Sequence, residues 1–122
     1  MNFAFWMILV AGVLPYITTG LAKTGGFDNR APREWVGTLT GWRQRADWAH
    51  RNHFEAFPLF AAAVLVATFA HVPQGRIDVL AGAYIVFRLA YTAAYVADQP
   101  TLRSAVWFGA VTCVIALFVS GL

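Results

Sequence analysis

Two short stretches hold the side chains best suited to chemistry. Arg51, Asn52 and Glu55 stand three and four residues apart, which puts them on one face of a helix. Tyr84, Arg88, Tyr91 and Tyr95 are separated by four, three and four residues and form a second helical stripe. Asp98, Arg103 and Ser104 follow shortly after. A structural explanation exists for each group. Acids and caps are common in the first turn of a helix. A tyrosine stripe with one arginine is either a packing seam or the wall of a polar pocket. Arg103, at a membrane edge, suits an anchor that snorkels to phosphates.

These residues sit in a chain made for lipid. It has 122 residues, of which 59% are hydrophobic and only 12% charged. Soluble domains carry about 25% charged residues. The mean hydropathy is +0.57, and a globule this small buries only part of its apolar surface. An all-α integral membrane protein with four transmembrane helices follows. The spans are expected at about 3–22, 54–72, 77–96 and 105–122 of one domain covering 1–122. The first run, Phe3 to Ala22, spans the hydrocarbon core. It is longer than a signal-peptide core and has no basic residue before it, so it reads as a span, with nothing removed. Pro15 is expected to kink it by freeing the carbonyl of Ala11.

The polar stretch Lys23 to His53 holds turn signals at Gly25-Gly26, Asp28-Asn29 and Pro32. From about Thr40 it is expected to turn helical and run into the second span. Trp35, Trp42 and Trp48 suit the interface. His71 to Arg76 and Ala97 to Ser104 read as tight connections.

A charge at the bilayer centre costs about 2.5–3.5 kcal/mol on insertion scales. Arg88, well inside the third span, therefore needs a partner, and Glu55 on the neighbouring span is expected to supply it. The remaining chemistry is sparse. His50 and His53 lie three apart, but no HExxH motif or cysteine pair accompanies them, and no metal site is expected. Cys113 reads as a small core residue. The net charge of +3 makes no dense patch, which argues against nucleic acid.

The segment RADWAHRNHFEAFPLFAAAVLVA, followed by RLAYTAAYVADQPTLRS, resembles the MAPEG family of membrane-associated proteins in eicosanoid and glutathione metabolism, of bacterial type. The resemblance implies a homotrimer of four-helix bundles, with glutathione as co-substrate held between subunits on the cytoplasmic side. It implies that Arg51, Asn52, Glu55, Tyr91, Tyr95 and Arg103 hold glutathione or shape its pocket, and that Arg88 is mainly structural. Arg103 matches the residue thought to stabilise the thiolate, and Ser104 a serine implicated in some prostaglandin synthases. A cation near a thiol lowers its pKa from about 8.5. The thiolate then attacks a small hydrophobic electrophile arriving through lipid. Alanines at 61–63, 90, 93 and 94 permit the close helix approach a trimer needs, with the second span near the axis.

The chain departs from some eicosanoid synthases at Trp48, where they carry arginine, and at Ala56, where they carry tyrosine. Two readings stand: a glutathione transferase or peroxidase acting on hydrophobic substrates, and a non-catalytic scaffold or accessory subunit that keeps the fold.

Basic residues set the orientation. Lys23, Arg30, Arg33, Arg43, Arg45, Arg51 and Arg103 fall on one side and Arg76 alone on the other, seven against one. The two basic loops are expected to be cytoplasmic, in a bacterial inner membrane, with both termini on the opposite face. A C-terminal alkaline phosphatase fusion should be active, and a C-terminal fluorescent protein that matures only in the cytoplasm should stay dark. The reverse pattern would overturn this topology.

Overall fold

The computed structural model describes residues 1–122 as an all-helical chain. Its elements are α1 (Phe3–Ala22), α2 (Pro32–Val36), α3 (Gly41–Phe69), α4 (Gln74–Val96) and α5 (Pro100–Val119). All but α2 are long and apolar enough to cross a membrane. They make a four-helix transmembrane bundle, with α4 packed on α5 and α1 on α3.

Two boundaries differ from the sequence-based expectation, those at the starts of α4 and α5. The second long helix begins at Gly41, as the helical reading from about Thr40 expects, and runs unbroken into the span; its length is about 44 Å at 1.5 Å per residue, more than a bilayer core. Its first turns therefore stand in the interface, with Trp42 and Trp48. Gln74 to Arg76 belong to α4, and Pro100 to Ser104 to α5. Pro100 is the first residue of α5, where a missing N–H costs nothing, so Arg103 and Ser104 lie on a helical turn and not in a loop. Pro32 likewise opens α2. Helix α1 continues through Pro15 without a break.

The connections are short because two residues take the left-handed conformation. His71 and Asp98 both have φ of 58°. After α3, Val72 N–H donates to Ala67 C=O and His71 N–H to Thr68 C=O; after α4, Gln99 and Asp98 repeat the pattern on Ala94 and Tyr95. Each closes its helix in a Schellman motif.

Polar side chains tie the two ends of the bundle. At one end, Arg43 Nε donates to the Ala22 carbonyl at 2.9 Å and its Nη2 to that of Gly26 at 2.8 Å. Arg45 donates to the Val96 carbonyl through Nε and Nη2 at 3.2 and 3.1 Å. Two arginines of α3 thus cap the C-termini of α1 and α4, where carbonyls are unpaired and the dipole is negative. At the other end, Asp78 Oδ1 accepts from Ala4 N–H at 3.1 Å and from Gln74 Nε2 at 2.7 Å. A carboxylate of α4 so caps the N-terminus of α1.

Between the ends, the core is built from small and aliphatic residues, with Ala63, Val64, Ala67, Ala81 and Leu117 fully enclosed. Phe60 and Tyr84 stack at 3.9 Å and 5°, joining α3 to α4. Gly109 lets α5 approach α4: a Cβ there would meet the Phe87 ring at 2.6 Å.

Losing a helix cap costs about 0.5–2 kcal/mol. Asp78→Ala should therefore lower the thermal midpoint of the detergent-solubilised protein, while Asp78→Asn, which keeps an acceptor oxygen, should recover most of the loss. Equal midpoints for the wild type and Asp78→Ala would refute the capping role.

Candidate functional site

The site grows from Arg88. This residue lies eight positions before the end of α4, about 12 Å from that end, and is 1% exposed. Its Nη2 donates to Asn52 Oδ1 at 2.8 Å. Its Nε and Nη2 both lie on His53 Nδ1, at 3.1 and 2.9 Å. Because Nδ1 accepts, the imidazole carries its hydrogen on Nε2, as assigned from the network. That nitrogen donates to Thr92 Oγ1 at 2.6 Å, and Thr92 Oγ1 donates to the Arg88 carbonyl at 3.2 Å. The circuit closes on the residue where it began. The guanidinium also lies 4.3 Å above the Tyr91 ring, a cation–π contact. No buried side-chain nitrogen or oxygen lacks a partner.

The expected Glu55–Arg88 ion pair does not form. The only salt bridge in the chain joins Arg51 Nε to Asp47 Oδ2 at 3.1 Å. Arg88 Nε and Nη2 are held by neutral acceptors instead, and Glu55 stays on the exposed face of α3. Arg51 pairs backward along its helix with Asp47, one turn earlier, rather than forward with Glu55. His53 holds Arg88 and Thr92 through its two ring nitrogens, while His50 Nδ1 lies 2.7 Å from the Pro15 carbonyl.

With Arg88 fixed, α3 and α4 present one shared face. Trp48, Arg51, Asn52, Glu55, Tyr91 and Tyr95 line an open recess there of about 460 Å³. The Tyr91 and Tyr95 rings meet edge to face at 5.5 Å, and Trp48 lies 6.3 Å from Tyr95. Arg103 closes the row, its guanidinium 4.7 Å over the Tyr95 ring. It reaches in from the first turn of α5, where the helix N-terminus adds positive potential. Every residue expected to hold the polar ligand therefore stands on this recess or against it. Ser104 does not: it is exposed on α5 and lines none of the cavities described here.

A second cavity, of about 230 Å³, lies deeper, between α3, α4 and α5. Ala56, Leu59, Trp107, Ala110, Val111 and Val114 make it apolar, and Asn52, Glu55, Tyr84 and Arg88 complete its lining. Asn52 and Glu55 line both spaces. The helical spacing of Asn52, Glu55, Ala56 and Leu59 put one wall of this cavity within reach of sequence reasoning. Trp107, Val111 and Val114 were not, since nothing local separates them from other lipid-facing residues of α5. His53 and Thr92 were also missed as partners of Arg88, although the four-residue spacing of Arg88 and Thr92 was visible.

Comparison with curated proteins and with solved structures finds no match. The sequence profile of the MAPEG family matches residues 3–122, a stretch that includes all five helices and every residue of the recess and the apolar cavity. The chain belongs to the MAPEG family, as an integral multi-pass membrane protein with the four-helix bundle its sequence predicts.

Proposed function

We propose that this protein is a membrane glutathione transferase that activates the thiol of glutathione and joins it to small hydrophobic electrophiles, or uses it to reduce hydrophobic peroxides. One observation carries the reading: Asn52 and Glu55 line both a polar recess and an apolar cavity. A polar thiol and a lipid-borne electrophile can therefore meet across two side chains.

The chemistry follows from the two environments. The recess offers the guanidinium of Arg51, the amide of Asn52, the carboxylate of Glu55 and the phenols of Tyr91 and Tyr95. Arg51 suits a carboxylate of the tripeptide, and Glu55 suits its ammonium group. Arg103, held over Tyr95, stabilises the thiolate once the thiol proton has left to water. The thiolate sulfur then forms a bond to the electrophilic carbon, and the electron pair of the broken bond leaves with the departing group or is protonated. Trp48 narrows the recess with an apolar wall, so the polar ligand is held mainly from the Arg51 and Arg103 sides.

The recess is open on the face that carries Arg51 and Glu55. Charges on a lipid-facing surface are costly, and a homotrimer that sets a neighbouring bundle against this face removes that cost and gives the site its second wall. The apolar cavity admits the electrophile from the bilayer, with Leu59 and Trp107 in its lining.

Two variants separate the roles. Arg103→Lys keeps the charge but loses the planar fork. The ultraviolet absorbance of bound glutathione thiolate on rapid mixing should fall by about tenfold, or about 1.4 kcal/mol, while the oligomer remains intact on size-exclusion chromatography. An unchanged thiolate signal, or none in the wild type, would favour the non-catalytic scaffold. Leu59→Trp should fill the apolar cavity. It is expected to raise KM for a hydrophobic electrophile such as 1-chloro-2,4-dinitrobenzene by about tenfold and to leave the thiolate signal unaltered. A KM that does not move would place the electrophile elsewhere.

A further inference from the structure

A third space lies on the adjacent face of α3, between α1, α2 and α3, and Arg51 stands between it and the recess. It measures about 630 Å³ and opens at the end of the bundle where Arg43 and Arg45 cap their neighbours. Three cations line it, Lys23, Arg33 and Arg51, against one carboxylate, Asp47. Asp47 is already engaged by Arg51 at 3.1 Å. Lys23 and Arg33 have no acidic partner within salt-bridge distance. The cleft therefore carries two uncompensated positive charges.

Its lining changes character with depth. Tyr16, Thr19 and Lys23 are three and four residues apart on one stripe of α1. Lys23 is the C-cap residue of α1, and Tyr16 stands about 10 Å deeper. There the Tyr16 ring meets Phe54 of α3 edge to face at 5.5 Å, and both remain exposed, at 63% and 43%. Thr19, between them, offers a hydroxyl with no partner in the chain. From the membrane edge inward, the cleft presents cations, one hydroxyl, then an uncovered aromatic pair.

We propose that this cleft binds the head group of an anionic phospholipid. The phosphate lies between Lys23 and Arg33, and the start of an acyl chain lies on Tyr16 and Phe54. A soluble anion satisfies the cations but not the exposed rings. A zwitterionic lipid satisfies the rings but brings its own ammonium to a cleft already in positive excess. Basic pockets between transmembrane helices at a membrane edge recognise lipid head groups in this way. Arg51 lines both this cleft and the recess, but Lys23 and Arg33, which hold the phosphate here, do not line the recess between α3 and α4, so a test on those two is separate from thiol chemistry.

The test uses the full chain in mild detergent, titrated with phosphatidylglycerol or with phosphatidylcholine of the same acyl chains, and read by native mass spectrometry. Phosphatidylglycerol should bind at least about fivefold more tightly, since each basic side chain near such a surface contributes about that factor. Lys23→Gln combined with Arg33→Gln should bring the two lipids within about twofold of each other, with phosphatidylcholine binding unaltered. Raising the salt from about 0.05 to about 0.5 M should erode the wild-type preference, because these charges are open to screening; this arm needs no variant to fold. Equal binding of the two lipids, a preference that survives the double substitution, or one insensitive to salt would each overturn the proposal. So would displacement of phosphatidylglycerol by an equal concentration of glycerol 3-phosphate, which would mark a site for soluble anions.

Discussion

A guanidinium inside a bilayer needs hydrogen-bond acceptors, and much of this structure is arranged around supplying them to Arg88. Water cannot solvate it there, and an unpaired charge at that depth costs several kcal/mol. The chain answers with neutral partners. Asn52 and His53 accept from the guanidinium, and Thr92 returns the hydrogen-bond chain to the Arg88 backbone. A carboxylate partner would have added the desolvation of a second charge. Neutral acceptors fix the geometry without it and leave Glu55 free on the same face of α3. The contact that holds α3 to α4 is also the contact that places Asn52 between two cavities.

The charged residues near the membrane edge divide by what they touch. Arg43 and Arg45 are committed to carbonyls at the C-termini of α1 and α4. Arg51 is partly neutralised by Asp47. Arg103 rests on Tyr95. Lys23 lies 4.2 Å over the Phe27 ring and keeps its charge open to the interface. A count of basic residues treats all of these alike, as orientation signals. Their contacts show that some of the same charges also close helix ends that would otherwise present unpaired carbonyls near lipid.

The two cavities beside Arg88 differ in the solvent they resemble. The recess is polar and open near the membrane edge, and the cavity beneath it is apolar and walled by three helices. One turn of α3 brings the two environments together: Asn52 and Glu55 line both, and Ala56 and Leu59 continue into the cavity.

Hydrophobic run length and the scarcity of charge determined the membrane class and the number of spans, because a helix with some twenty apolar residues has few alternatives to crossing a bilayer. Helical spacing alone also put Arg51, Asn52 and Glu55 on one face and Tyr84, Arg88, Tyr91 and Tyr95 on another. Tertiary structure decided what those faces meet. The pairing of Arg88 with His53 rather than Glu55 depends on the rotation of α3 against α4, which no local pattern encodes. Ser104, adjacent to Arg103, lines none of the cavities, since one residue along a helix turns a side chain by about 100°. The helix boundary at Pro100 depended on a proline at its one tolerated position, where hydropathy changes too gradually to mark an edge. Arg43, Arg45 and Asp78 carry no sequence sign of their capping roles, since the carbonyls and amides they satisfy lie on helices far away along the chain.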